Sequence, residues 1–166
     1  GQGTAAFEIS QELNNISVIP DIYLCCCGGG GLIAGTSTFL KHKYPNILSY
    51  AAEPFGFDDT KKSLDSKRII ANESGFTSIC DAIVTPQPGK MTFPINLRNL
   101  SGGVVVDDEE VKQSIKILAE HLKIVAEPGG AVAATAALTK KIDIKNKTVV
   151  VMISGGNIDL DVFCSL

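Results

Sequence analysis

Apolar positions along this chain follow two alternating spacings. The runs "IYLCCC" (22–27) and "TVVVMI" (148–153) are short, continuous and bulky, as strands covered on both faces are. "DDEEVKQSIKILAEHLK" instead repeats Val111, Ile115, Leu118 and Leu122 at helical spacing, with Asp107 and Glu110 forming a capping box at its start. Read this way throughout, the pattern predicts strands over 22–27, 47–52, 82–85, 103–107 and 148–153. Helices are predicted over about 31–43, 58–66, 91–101, 108–123 and 129–140, after an opening helix in "GQGTAAFEISQELN" capped by Thr4. Alternating strands and helices predict an α/β fold: an open, mainly parallel twisted sheet with helices on both faces. Repeats, linkers and low-complexity tracts are absent.

The glycines fall at the junctions of this pattern. Gly28–Gly31 stand between the first strand and the helix "LIAGTSTFLKHK". Four residues without Cβ let consecutive N–H groups approach an anion at the positive end of a helix, and phosphate is the natural guest. A flexible glycine turn is the alternative. A Walker loop is excluded, because Gly30-x-x-x-x-Gly35 is followed by Thr36-Ser37 and not by lysine. Gly29-x-Gly31-x-x-Ala34, with Glu53 ending the next strand, fits the loose dinucleotide fingerprint, so a dinucleotide-binding module stays open. Two more glycine pairs follow, in Ser154-Gly155-Gly156-Asn157 after the last strand and in "EPGG", where Glu127 precedes an alanine-rich helix. Loops leaving the carboxyl ends of parallel strands converge on a ligand crevice, which favours one shared site.

Charge and cysteine content narrow the setting. The formal net charge is −3 and no basic run exceeds a lysine pair, which argues against nucleic acid or an anionic membrane as partner. No apolar run approaches the roughly 20 residues that span a bilayer. The chain opens at Gly1 without a charged leader, so no secretory signal is expected. Its five cysteines include no Cys-x-x-Cys, which fits a reduced, cytoplasmic setting. On a strand, Cys25 and Cys27 share one face and Cys26 takes the other, an arrangement suited to packing and not to one tetrahedral metal. His42 and His121 stand alone.

Glu53 and Asp59 flank the turn "PFGFD". The two carboxylates with intervening backbone carbonyls could surround a hard cation, Mg²⁺ or Ca²⁺. The competing expectation is a solvated acidic loop in which Asp58 or Asp59 caps the following helix.

Six stretches in order, Gly1-Gln2-Gly3-Thr4, "GGGGLIAG", "EPFGFDD", "PGKMTFPI", "EPGGAVA" and "SGGNIDLD", resemble the pyridoxal-phosphate-dependent threonine/serine dehydratase family of fold type II, to which serine racemase is closely related. The match runs from residue 1 to 161 and corresponds to the second half of the catalytic domain, most of its large domain. The resemblance implies that Gly28, Gly29, Gly30, Gly31 and the Leu32 amide hold the phosphate of pyridoxal 5′-phosphate. Ser154 would hydrogen-bond the pyridine nitrogen; a neutral hydroxyl there makes the ring a weaker electron sink than a carboxylate would. Glu127 and Ala82 fall near the ring, Ala82 where many members have glycine. Glu53, the Phe57 carbonyl and Asp59 match the cation site of racemase-like members, with Mg²⁺ or Ca²⁺ as ligand.

The implied activity is that of an ammonia-lyase acting on L-threonine or L-serine, removing water and then ammonia to give a 2-oxo acid. A serine racemase and a non-catalytic, cofactor-binding remnant are the alternatives. The family's Schiff-base lysine motif, Ser-Phe-Lys-x-Arg-Gly, and its Ser-x-Gly-Asn-His substrate loop do not occur here. Of thirteen lysines only Lys90 lies in a matching stretch, and the family gives it no catalytic role. Residues 1–166 are therefore expected to be a single partial domain, catalytically silent alone. Its uncovered faces would meet either the missing first half or a second copy.

Overall fold

The sheet is built around β1 (Ile22–Cys26), in which every residue is buried. The computed structural model describes residues 1–166. In it β1 pairs in parallel with β2 (Leu48–Pro54) on one side and β4 (Val149–Val151) on the other. β2 in turn pairs in parallel with β3 (Gly102–Val106), giving the order β3-β2-β1-β4. A central strand with helices on both faces has no polar side, which explains the unbroken apolar run in its sequence.

The faces divide β1 residue by residue. Tyr23, Cys25 and the following Cys27 pack with Ala6, Ile33 and Leu40, from α1 (Thr4–Asn15) and α2 (Gly31–Lys43). Ile22, Leu24 and Cys26 pack on the opposite side with Val111 and Ile115 of α5 (Asp108–Ile117) and Val132 of α6 (Pro128–Leu138). The predicted split of the three cysteines is therefore present, and all five are free thiols. α6 runs across β1, β2 and β3, and Ala131, Ala133 and Ala136 on it are fully buried. Small side chains let its axis lie close to the sheet. α3 (Asp59–Ser66) packs on β2 and β3, while α4 (Phe93–Asn99) packs on α2.

Four of the five expected strands form. The fifth, 82–85, is instead a 3₁₀ turn over Asp81–Ile83. This short apolar run, closed by Pro86, lies over the carboxyl end of β1, where Ile83 faces Gly28, and away from the free edges β3 and β4. α5 starts on the predicted capping box, with Glu110 N–H donating to Asp107 Oδ1 at 2.8 Å and Asp107 N–H donating to Glu110 Oε2 at 2.9 Å. Its last stretch, Leu118–Leu122, widens into a π turn. The wider turn breaks the helical phase, so Leu118 is buried while Leu122 is 60% exposed. A short α7 (Leu160–Ser165) follows β4 where no helix was expected.

Two helix starts also differ from expectation. Gly3, not Thr4, is the N-cap of α1, and the Thr4 hydroxyl donates back to Gly1 O at 3.0 Å. Asp58 occupies the N-cap of α3 without a side-chain cap bond and pairs with Lys62 at 2.8 Å; Asp59 is the first helical residue. Glu53, fully buried at the end of β2, performs the capping: Thr60 N–H and Lys61 N–H each donate to one of its carboxylate oxygens at 2.8 Å. A carboxylate reaching from a neighbouring strand thus satisfies two orphan donors of the helix. Glu53→Ala should accordingly cost about 2 kcal/mol of unfolding free energy, whereas Asp58→Ala should stay within about 0.5 kcal/mol. Urea titration of the two variants measures both; equal losses would return the cap to Asp58.

Candidate functional site

Register decides which loops meet at the carboxyl end of the sheet. Ile22 stands opposite Val149 and Leu24 opposite Val151, and Met152 N–H continues the ladder by donating to Leu24 O at 2.9 Å. That offset brings Ser154 level with the end of β1, where its Oγ lies 3.0 Å from Cys26 Sγ. The glycine turn, Gly28–Gly31, leaves β1 at the same level and opens α2.

The carbonyls of this turn are held from behind. Gly29 O accepts from the Thr92 hydroxyl at 2.6 Å and from Gly89 N–H at 3.2 Å. Gly30 O accepts from Asn96 Nδ2 at 3.3 Å and from Ala34 N–H at 3.0 Å. Gly30 is left-handed, with φ of 81°, and a Cβ on it would stand 2.5 Å from Asn96 Nδ2, so only glycine fits. Gly29 and Gly31 face open space. With the carbonyls engaged, the N–H groups of Gly28 through Leu32 donate to no other group of the protein. They form a fan of free donors at the N-terminus of a 13-residue helix, whose first turn holds no acid and whose last holds Lys41, His42 and Lys43. Such a fan binds an anion, phosphate above all.

The rest of the cleft, about 290 Å³, closes around this fan. Gly28–Leu32, Ala82, Glu127 and Ser154, all eight residues expected near one cofactor, line it together. Ala82 and Ile83 of the 3₁₀ turn form one wall against Gly129 at the start of α6. Glu127, the N-cap of α6, ties the last loop down: its Oε2 accepts from Asn157 N–H at 3.2 Å, and its own N–H donates to Gly155 O at 3.1 Å. Gly130 lies beneath Gly155, where a Cβ would stand 2.5 Å from the Gly155 carbonyl. No lysine is among the lining residues.

Cys26 and Cys27 also line the cleft, which the sequence pattern did not single out. The expectation of plain packing for Cys26 is incomplete, because its thiol reaches Ser154; the signal was its place at the carboxyl end of the central strand. Its neighbour Cys25 and then Ser154 draw that thiol down, while burial and the Glu127 carboxylate oppose them, leaving it at about 7. Cys27 is pushed well up by burial and by the nearby Glu53 carboxylate.

Glu53, Phe57 and Asp59 lie outside this cleft. Burial, with Asp59 adding to it, raises Glu53 to about 8 against the two N–H groups of α3 that favour its ionised form. Asp59 is raised to about 6, again by burial, although Asn72 Nδ2 donates to its Oδ1 at 2.6 Å. Asp59 Oδ2 is buried without a partner. No cluster of three or more His, Cys, Asp or Glu side chains is arranged to hold a metal ion.

The chain matches the family described as pyridoxal-phosphate dependent enzyme over residues 1–155. It is 39% identical over 163 residues to a serine racemase of Dictyostelium discoideum, covering 96% of this chain and 49% of that protein. It is 35% identical over 161 residues to an L-threonine ammonia-lyase of Thermotoga maritima, covering 97% and 39% respectively. The crystal structure of the Dictyostelium discoideum serine racemase superposes with a TM-score of 0.85 at 38% identity, covering 96% of this chain and 50% of that one. The chain thus spans about half the length or less of these relatives.

The turn's geometry separates two neighbouring substitutions. Gly30→Ala should lose about 1–3 kcal/mol, from its left-handed backbone and the contact with Asn96, whereas Gly29→Ala should stay within about 0.5 kcal/mol. Thermal unfolding of both variants gives the comparison, and equal stability would contradict the turn as described.

Proposed function

The chain belongs to the pyridoxal-phosphate-dependent enzyme family, and on that premise we propose that its cleft holds pyridoxal 5′-phosphate between the glycine turn and Ser154. One observation carries this reading. The unpaired N–H groups of Gly28–Leu32 and the hydroxyl of Ser154 converge on a single cleft from two adjacent strands. The turn binds the phosphate through backbone dipoles, which need no lysine or arginine. Ser154 meets the ring nitrogen with a neutral hydroxyl, Ala82 stands at the ring, and Glu127 holds the Ser154 loop in place. When bound, the cofactor supplies an electron sink conjugated with the α-carbon of an amino acid.

For the whole protein we propose an ammonia-lyase acting on L-threonine or L-serine, as the likeness to the Thermotoga maritima enzyme supports. The second reading is a serine racemase, favoured by the 39% identity to the Dictyostelium discoideum protein. Both readings need a lysine to reach the cofactor, and none of this chain's lysines lines the cleft.

A divalent cation is the finer part of the proposal. The buried, unpartnered Asp59 Oδ2 favours it, but both Glu53 oxygens already accept N–H groups, so Asp59 carries the site with the Phe57 carbonyl. Mg²⁺ or Ca²⁺ should then raise the unfolding temperature of the wild-type chain by a few degrees and leave Asp59→Asn unmoved. A shift common to both proteins, or absent from both, would remove the cation from this site.

Pyridoxine 5′-phosphate, which lacks the aldehyde and so does not react with surface lysines, tests the cofactor site. It should bind the wild-type chain saturably. Gly29→Asp places a carboxylate in open space beside the fan of N–H groups, and should weaken binding at least tenfold at unchanged unfolding temperature. Incubation of the wild-type chain with pyridoxal 5′-phosphate and L-threonine should release no 2-oxo acid. Equal affinity of Gly29→Asp would move the phosphate elsewhere, and turnover would overturn the silence of the isolated chain.

A further inference from the structure

Ser154 has one proton and two choices of where to send it. Its loop carries no regular structure beyond β4, and the side chain itself is solvent-exposed, so the hydroxyl rotor is free unless a neighbour fixes it. The only side-chain partner of that hydroxyl is Cys26, at 3.0 Å. Cys26 is 5% exposed and sits on β1, the most constrained strand of the fold, so its Sγ is a fixed point and Ser154 is the adjustable one.

The hydrogen-bond sense of this pair decides what the cleft sees. A protonated Cys26 donates S–H to Ser154 Oγ, and the hydroxyl proton then turns into the cleft as a donor. An ionised Cys26 instead accepts the Ser154 proton, and the hydroxyl presents lone pairs to the cleft. A neutral pyridine nitrogen requires the first arrangement, because it only accepts. The titratable groups around the thiol are Tyr23 and Cys25 on its own strand, Cys27 next in the chain, Cys80 before the 3₁₀ turn and Glu127 at the start of α6. β4 and the loop after it bring only the Ser154 hydroxyl. No lysine, arginine or histidine is among these groups, and the Glu127 carboxylate favours the protonated thiol.

We propose that Cys26 is a positioning residue for the cofactor: its S–H, donated to Ser154 Oγ, aims the Ser154 proton at the ring nitrogen. This rests on the cofactor site proposed above. It assigns to the middle cysteine of "CCC" a task distinct from those of its neighbours, which point to the opposite face. Cys26 touches neither cofactor nor substrate; it acts through Ser154.

Two measurements on the full chain test it, the first of them in mildly acidic buffer where the thiol is protonated. The first is the infrared S–H stretching band of Cys26, isolated by subtracting the Cys26→Ala spectrum. Ser154→Ala should move that band to higher frequency, because the thiol loses its acceptor; an unmoved band overturns the proposal. The second compares the affinity of pyridoxine 5′-phosphate with that of its carbon analogue, in which C–H replaces the ring nitrogen. The wild-type chain should prefer the nitrogen ring by about tenfold, a difference of about 1.4 kcal/mol. Ser154→Ala should abolish the preference, Cys26→Ala should remove most of it, and Cys26→Ser, which keeps a donor, should restore it. A preference lost in Ser154→Ala but intact in Cys26→Ala overturns the positioning role. Failure of the wild-type chain to bind either ring overturns the cofactor site and with it the ring-nitrogen role, while the infrared band still decides the thiol–hydroxyl bond.

Discussion

The parallel register of β1 between β2 and β4 is the constraint on which the rest of the molecule depends. Because Ile22 meets Val149 and Leu48, the three strands start in step and run in one direction, and the segments leaving their carboxyl ends meet at one side of the sheet. A slip of one residue would turn Cys26 toward α2, present Cys25 or Cys27 to α6, and carry Ser154 away from the glycine turn. Complete burial of β1 makes such a slip costly, since it would exchange Tyr23 and Leu24 between two differently shaped cores. The cleft is thus positioned by packing well below it, and the polar chemistry is laid on a frame that packing has already fixed.

Within that frame the glycine turn separates its acceptors from its donors. Thr92, Gly89 and Asn96 engage the carbonyls of Gly29 and Gly30 from the side of α4, and the N–H groups are left pointing the other way. Unpaired backbone donors normally carry a desolvation cost, and at this cleft they remain open to a guest. Glu53 handles the same problem at α3 in the opposite manner, closing two orphan N–H groups with a buried carboxylate. Two helix starts in one small domain therefore have different fates. One is sealed by the protein and one is left for a ligand.

Much of this was legible in the sequence, for identifiable reasons. The glycine turn, the alternating faces taken by Cys25, Cys26 and Cys27, and the capping box at Asp107 are local patterns whose geometry follows from chain spacing alone. The convergence of Gly28–Leu32, Ala82, Glu127 and Ser154 followed from the resemblance together with the rule that parallel strands end at one crevice. What escaped depended on contacts distant in sequence. Glu53 caps a helix that Asp58 begins, because a side chain on β2 reaches Thr60 and Lys61 across the turn. The 82–85 run looked like a strand but lies over β1 with no free edge to join. The π turn at Leu118–Leu122 has no signature in a helical heptad, and it exposes a leucine that the periodicity assigned to the core. Cys26 looked like packing because its place at the end of the central strand marks it as near the cleft but does not identify the serine 128 residues later that it touches.

The central claim is that one anionic, nitrogen-ring guest occupies the space between the glycine turn and Ser154. Backbone amide spectra of the chain, recorded during titration with pyridoxine 5′-phosphate, test it most directly. The amides of Gly28–Leu32 and that of Ser154 should shift together along one saturable isotherm, while those of Thr60 and Lys61, already bonded to Glu53, stay in place. Shifts that spare the glycine turn, or that spread over the lysine-bearing surface without saturating, would contradict the account.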